Sequence, residues 1–243
     1  KFMKKIFTIV FLTFISVSWS SEVNYQALKK KNGIYFLKDS IAPFTGQTYG
    51  IIKGSFIKGK REGRHFKFYD NGKILSKVNY KDNMLEGERV EFYDNGKILS
   101  QRNYKNNILN GIYNDFYRFG QLLSQRNYKN GLLDGEYLDY YKNGQLRNKK
   151  NYKAGKLEGE YLFFHEYELE NKRQIKEKKF YINNRLNGKY LKFNEQGNLI
   201  EEGFYVSGKL EGELIHLDNT GKQIEIRVYK NGILKDVSRN HLN

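Results

Sequence analysis

The chain has no cysteine, one proline, one tryptophan and only four histidines among 243 residues. Without cysteine there are no disulfides, no thiolate zinc sites, no cysteine nucleophile and no lipid-modified cysteine at a processing site. His65, His165, His216 and His241 fall at no metal-ligating spacing such as H-E-x-x-H. A phosphate-binding G-x-x-x-x-G-K-[ST] loop is missing, and so are the catalytic-loop and metal-holding triplets of kinases. Acidic residues are scarce against basic ones, 27 against 43, for a formal charge of +16. Past residue 20 no run is apolar enough to span a bilayer as a helix. The sequence nominates no catalytic residue, no metal ligand and no cofactor.

The first 20 residues, KFMKKIFTIVFLTFISVSWS, stand apart. Lys4 and Lys5 precede an apolar run from Ile6 to Val17, and the small residues Ser18 and Ser20 follow. That order predicts a secretory signal peptide over 1–20, with cleavage after Ser20. The run is short for the ~20 residues of a spanning helix. Three positive charges (Lys1, Lys4, Lys5) lie in this segment, so +13 remains on the rest. The predicted location is extracytoplasmic: periplasm, cell surface or medium. Such a charge favours anionic partners, whether lipid headgroups, acidic polysaccharide, acidic protein or nucleic acid. Nucleic acid is the weakest of these, because the basic residues are spread through the chain with carboxylates between them.

What the chain does have is a period. FYDNGKILS occurs at Phe68–Ser76 and again at Phe92–Ser100; LSQRNYKN occurs at Leu99–Asn106 and again at Leu123–Asn130. Each repetition is 24 residues on. A glycine, closing "L-x-G" in every unit but the first, marks the register at Gly63, Gly87, Gly111, Gly135 and Gly159, then at Gly188 and Gly212, with Asp236 in the last unit. The array is assigned to 46–236, with an entry segment at 21–45 and a tail at 237–243. Two turns punctuate each unit. The first carries Gly72, Gly96, Gly120, Gly144, Gly197 or Gly221, several of them preceded by Asn. Asn-Gly between alternating apolar residues predicts a type I′ hairpin. The second turn holds only Gly or Asn at its key position, from Gly59 and Asn83 to Gly232. These are the residues that enter the left-handed region at least cost.

Apolar residues recur two apart after each leading glycine, as in Phe66/Phe68, Val90/Phe92 and Leu162/Phe164, the period of a strand. The expected fold is all-β: an elongated, single-layer antiparallel meander of seven to eight 24-residue hairpins. That makes roughly 14–16 strands extending about 70 Å. A sheet so long has no ordinary globular core and is held by contacts between neighbouring units. Three features stand out as candidate binding elements. The first is the aromatic row Tyr80, Tyr104, Tyr128, Tyr152, Tyr181, Tyr205 and Tyr229, which reads as a register-pinning ladder or as an exposed strip. The second is the change from Asn79, Asn103, Asn127 and Asn151 to Phe180, Phe204 and Val228, an apolar stripe in the C-terminal third. The third is the five-residue excess in the unit after Gly159. It falls in the tip EYELENKRQ, with Glu166, Tyr167, Lys172 and Arg173, and reads as a tolerated insertion or a contact loop.

Segments such as GEYLDYYKNGQL and NYKAGKLEGEYL resemble the MORN repeat in its bacterial variant, and APFTG at Ala42–Gly46 resembles the entry into such arrays. The resemblance covers about Lys29 to Asp236. It implies a twisted antiparallel sheet used for binding, membrane association or assembly. Bacterial members of the family are often labelled antitoxins, and others carry a lipid-kinase label because some plant kinases bear these repeats beside a catalytic domain. Here the repeats leave no room for one. The resulting expectation is an exported, non-enzymatic binding or scaffold protein. Its partner would be a protein or an anionic lipid or polysaccharide surface. The alternative is an antitoxin-like protein that occludes a cognate toxin.

Overall fold

Turns set the register of everything between them, and here the two kinds differ. A computed structural model describes residues 22–167 and 174–239. The signal-peptide segment, Lys172 and Arg173 lie outside the described residues. At the second turn two consecutive residues have positive φ: 51° and 70° at Asp82 and Asn83, 51° and 80° at Asn130 and Gly131. This is type I′ geometry, whose twist matches the flanking strands. The first turn departs from the expectation. Of the residues between Tyr69 and Lys73 only Gly72 has positive φ, +79°. Its N–H donates to the Tyr69 carbonyl, and Asn71 accepts from the Lys73 N–H at 3.0 Å. The Asn side chain is engaged in that local bond, so Asn71 stays right-handed and one left-handed glycine closes the turn.

From Gly46 onward the strands pair with their neighbours in the chain and, with Val23–Asn24, give one 21-stranded sheet, while Leu28–Lys31 and Ile34–Leu37 pair apart from it. Pairing is antiparallel from Gly46–Tyr49 onward to Ile233–Arg239, and Val23–Asn24 adds to Gly46–Tyr49 in parallel. The count exceeds expectation partly because three leading strands are cut in two, at Glu158, Asn187 and Glu211. The cuts mark a bulge present in every unit. Tyr80 faces Leu85 but Val78 faces Arg89, so Glu86, Gly87 and Glu88 together oppose Asn79. Bulges of this kind bend and twist a strand.

The residue before each leading glycine locks one unit to the next. Glu62 accepts from the Asp82 N–H at 2.9 Å, Glu86 from Asn106 at 2.9 Å and Asp134 from Ala154 at 3.0 Å. Glu158, Asn187 and Glu211 repeat the bond to Asn183, Ser207 and Asn231 at 2.9, 3.0 and 2.7 Å. A second staircase runs along the other edge, where the Tyr69, Tyr93, Tyr117 and Tyr141 hydroxyls donate to Phe92, Phe116, Tyr140 and Phe164 carbonyls. His165 takes the next step, its Nε2 3.0 Å from the Phe193 carbonyl.

A buried aromatic cluster sits at the N-terminal end. Tyr35, Phe44 and Phe56 pack together, with Tyr25, Leu28 and Leu37 against them, under the hairpin Leu28–Lys31/Ile34–Leu37. The Tyr35 and Phe56 rings meet edge-on at 5.0 Å. The opposite end is different: among the described residues Ile233–Arg239 pairs only with Gln223–Lys230, and all seven of its residues are exposed. Strand pairing runs past Asp236 through Arg239, so these residues extend the sheet rather than fold over its edge.

Candidate functional site

Cross-strand partners share a face of the sheet, and this sorts the predicted residues onto two surfaces. The aromatic row lies on one. Each tyrosine stands opposite the leading glycine of its own unit: Tyr80 opposite Gly63, Tyr104 opposite Gly87, Tyr128 opposite Gly111 and so on to Tyr229 opposite Gly212. On its other side each faces the leucine that opens the next unit, Leu85, Leu109, Leu133 and onward to Leu234. The rings are half-buried against a bare backbone and an aliphatic side chain.

A second tyrosine row on the same face was not singled out in the sequence. Tyr113, Tyr137, Tyr161 and Tyr190 alternate with cations along the array. The Arg126 guanidinium lies 5.0 Å from the Tyr113 ring and 5.2 Å from Tyr137; Lys150 lies 4.4 Å from Tyr137 and 5.9 Å from Tyr161. Lys179 continues the stack between Tyr161 and Tyr190. Carboxylates neutralise it from the side: Arg102–Glu91 at 3.1 Å, Arg126–Asp115 at 2.8 Å, Lys179–Glu177 at 2.6 Å and Arg227–Glu225 at 2.5 Å. Burial pushes the Tyr161 hydroxyl up to about 12, with Glu177 adding to it. Burial alone would also raise Glu91, but Arg89 and Arg102 outweigh it and hold that carboxyl low. This face satisfies its own charges. The signal that could have found it was the same 24-residue period, read two positions after each leading glycine for the tyrosines and two positions before each ladder tyrosine for the cations.

The other face carries the C-terminal stripe. Phe180 and Phe204 are exposed on it, and Val228 is half-buried. The Asn residues they replace close the bulge, where Asn79, Asn103 and Asn127 donate to the Glu86, Ile112 and Glu136 carbonyls. Of the inserted loop, Tyr167 is tied down on both sides. Its N–H donates to the Gln145 side chain at 2.9 Å and its hydroxyl to the Glu195 carbonyl at 2.9 Å. Glu166 is exposed beside it.

The same face shows a pattern at the base of the second turn. The residue entering the turn and the residue leaving it are cross-strand partners, and their chemistry is nearly constant. Ile57 faces Lys60, Lys81 faces Met84, Lys105 faces Ile108 and Lys129 faces Leu132. Ile182 then faces Arg185, Val206 faces Lys209 and Lys230 faces Ile233. One member is basic and the other apolar in every pair except Lys153–Lys156, where both are basic. No pair contains a carboxylate. Ile108, Leu132, Ile182 and Val206 are 43–51% exposed. Lys81, Lys105, Lys129 and Lys153 are also exposed and form no ion pair among the described residues.

No group of three or more His, Cys, Asp or Glu among the described residues could hold a metal ion. No helix among them is long and apolar enough to cross a membrane. Stacked hairpins locked turn to turn, with two contrasting faces, define a β-repeat array. The MORN repeat variant family matches at 61–82, 85–106, 109–130, 133–154 and 186–207, and the chain is a member of that family of repeat binding and scaffold modules. No curated protein matches it.

Proposed function

We propose that this protein is an exported, non-enzymatic scaffold that docks along its second-turn edge on an anionic surface. The observation that carries the reading is the row of basic/apolar pairs, none of which contains a carboxylate; Lys60 is paired with Asp82 at 3.1 Å, whereas Lys81, Lys105, Lys129 and Lys153 form no ion pair among the described residues. Adjacent units stand two strand spacings apart, about 10 Å. Lys81, Lys105, Lys129 and Lys153 therefore stand in a regular line, while Glu86 and Asp134 at the same turns are held on backbone N–H groups, and such a line suits a surface with evenly distributed negative charge. The tyrosine face, whose cations are already paired, is the less suited to such a partner. Export rests on the Lys-apolar-Ser order of residues 1–20.

The test is retention on immobilised acidic polysaccharide and on phosphatidylglycerol vesicles, as salt is raised. Binding to one or both, falling steeply with salt and abolished by combining Lys81→Gln, Lys105→Gln, Lys129→Gln and Lys153→Gln, is the expected result. Retention on neither surface at low salt would overturn the reading. A salt-resistant one-to-one complex with a secreted or cytoplasmic toxin, unaffected by the four substitutions, would replace it with the antitoxin reading.

A further inference from the structure

On the tyrosine face, charges are closed in a repeating way that the first full unit breaks. In the units led by Gly87, Gly111 and Gly135 a polar residue of the returning strand stands across from a carboxylate and donates to it. Ser100 donates to Glu91 at 3.0 Å, Ser124 to Asp115 at 3.4 Å and Asn148 to Asp139 at 3.2 Å. Two residues further along that strand, and so on the same face, a cation completes each set. Arg102 lies 3.1 Å from Glu91, Arg126 2.8 Å from Asp115 and Lys150 3.5 Å from Asp139.

One period earlier, Ser76 stands for Ser100, Lys67 for Glu91 and Val78 for Arg102. Ser76 faces Lys67 across the hairpin, so the hydroxyl donor is kept while a cation replaces the carboxylate. Ser76 is only 6% exposed, yet its hydroxyl has no hydrogen-bond partner among the described residues, an arrangement that costs stability unless something else accepts the bond. Lys67 is exposed and forms no ion pair among the described residues. On its other side Ser76 faces Glu91, but that carboxylate is held by Arg89, Arg102 and Ser100. Val78, short where Arg102 and Arg126 are long, lines a cavity of about 180 Å³ together with Tyr80 and with Tyr25 from the cap. Arg61 lines it too. Its guanidinium stacks 3.9 Å over the Tyr80 ring and donates to the Tyr80 hydroxyl at 2.7 Å, without an ion pair among the described residues. Glu62, the next residue, is held on the Asp82 N–H. The cavity thus carries a hydroxyl and cations of the kind that hold Glu91 and Asp115, and its own acid is lacking.

We propose that this cavity binds a small organic acid, whose carboxylate takes the place of the absent acidic side chain beside Ser76 and Lys67. Its apolar body lies against Val78, Tyr25 and Tyr80. The sister sets define the ligand class, because each closes the same hydroxyl-and-cation arrangement with a planar, two-oxygen carboxylate. Charge-assisted bonds to such a group are the strong ones. Inorganic phosphate answers the cations but brings nothing to cover the apolar wall. The site lies on the face opposite the second-turn lysines, so it is independent of the docking edge.

Benzoate, acetate and inorganic phosphate are the probes, titrated into the full chain and followed by its amide chemical shifts. Benzoate should move the amides of Lys67, Ser76 and Val78 saturably, and acetate, with little apolar body, should bind more weakly. Lys67→Glu installs the acid that the sister units carry. It should keep the parent's far-UV circular dichroism and weaken benzoate by about tenfold or more. Lys53→Glu makes the same charge change across from Phe66, on the opposite face, and should leave binding as it is. Ser76→Ala should weaken benzoate by about tenfold. Absence of a saturable shift with benzoate overturns the proposal, as does binding that survives both Lys67→Glu and Ser76→Ala. Equal losses in Lys67→Glu and Lys53→Glu overturn the site in favour of bulk charge. Phosphate that binds as tightly as benzoate overturns the assignment to organic acids.

Discussion

Tyr152 stands directly across from Gly135 on one side and from Leu157 on the other. Gly135 itself is left-handed at φ +106°, a conformation its place in the bulge requires, and a side chain there would turn toward Asn127 rather than toward the Tyr152 ring. A Gly135→Ala substitution forces an L side chain into that conformation and sets its Cβ 3.4 Å from the Cβ of Asn127. A loss of about 1–3 kcal/mol is expected. In an array whose units contact mainly their neighbours, urea unfolding should show the loss. Amide exchange should place the opening in the Gly111 and Gly135 units and leave the aromatic cap around Phe56 protected.

The inter-unit locks can be tested one at a time. Asp134→Ala removes the acceptor of the Ala154 N–H, a bond of 3.0 Å at an exposed turn. Water takes over part of the loss, so about 1 kcal/mol is expected. Asp134→Asn, which keeps an acceptor as Asn110 and Asn187 do in sister units, should recover most of it in the same thermal unfolding assay.

His65 gives the protein a pH dependence with a definite sign. It is buried between the Phe56 and Tyr80 rings at 5.2 and 5.1 Å, and burial lowers it from 6.5 to about 4. The unfolded chain therefore binds more protons than the folded one between those values. The stabilisation is complete above pH 6.5 and is lost as pH falls toward 4, by up to on the order of 3 kcal/mol. Comparing His65→Gln with the parent by thermal unfolding at pH 7.5 and pH 4.5 checks this. The parent's Tm should fall more than the variant's; equal falls would show that His65 is not the titrating group.

Arg126 joins two tyrosine rings and one carboxylate, and Arg126→Ala removes all three contacts. A loss of about 2 kcal/mol is expected from partly desolvated cation–π contacts and a half-buried ion pair. Because Asp115 is left without its guanidinium, the double variant Arg126→Ala/Asp115→Ala should be less destabilised than the single one. Equilibrium denaturation of the two side by side measures the difference.

The period, the hairpins and the all-β fold were legible because a 24-residue repetition multiplies every weak local signal. The left-handed Asn and Gly positions of the second turn, Asn83 through Gly232, were legible for the same reason. The assignment of type I′ geometry to the DNG turn failed because Asn71 uses its side chain on the Lys73 N–H and does not adopt positive φ. The faces were harder still. Phe66 and Phe68 read as one alternating pair, yet a register shift separates them: Lys67 faces Ser76 while Phe68 faces Ile74. A bulge of that kind leaves no local mark, and each one changes which side chains look the same way. The basic/apolar pairing at the second turn escaped notice because it holds across two strands, and the member that carries the charge switches between them.

The acceptor at the residue before each leading glycine serves a turn in the following copy, so every internal junction is interchangeable with every other. Deleting one 24-residue copy, or duplicating one, leaves each remaining turn with a donor and an acceptor. Each event would lengthen or shorten the rod by about 10 Å and leave the aromatic cap at one end and the open strand at the other untouched. Copy number is thus a ruler: it sets the reach of the sheet while both ends keep their chemistry.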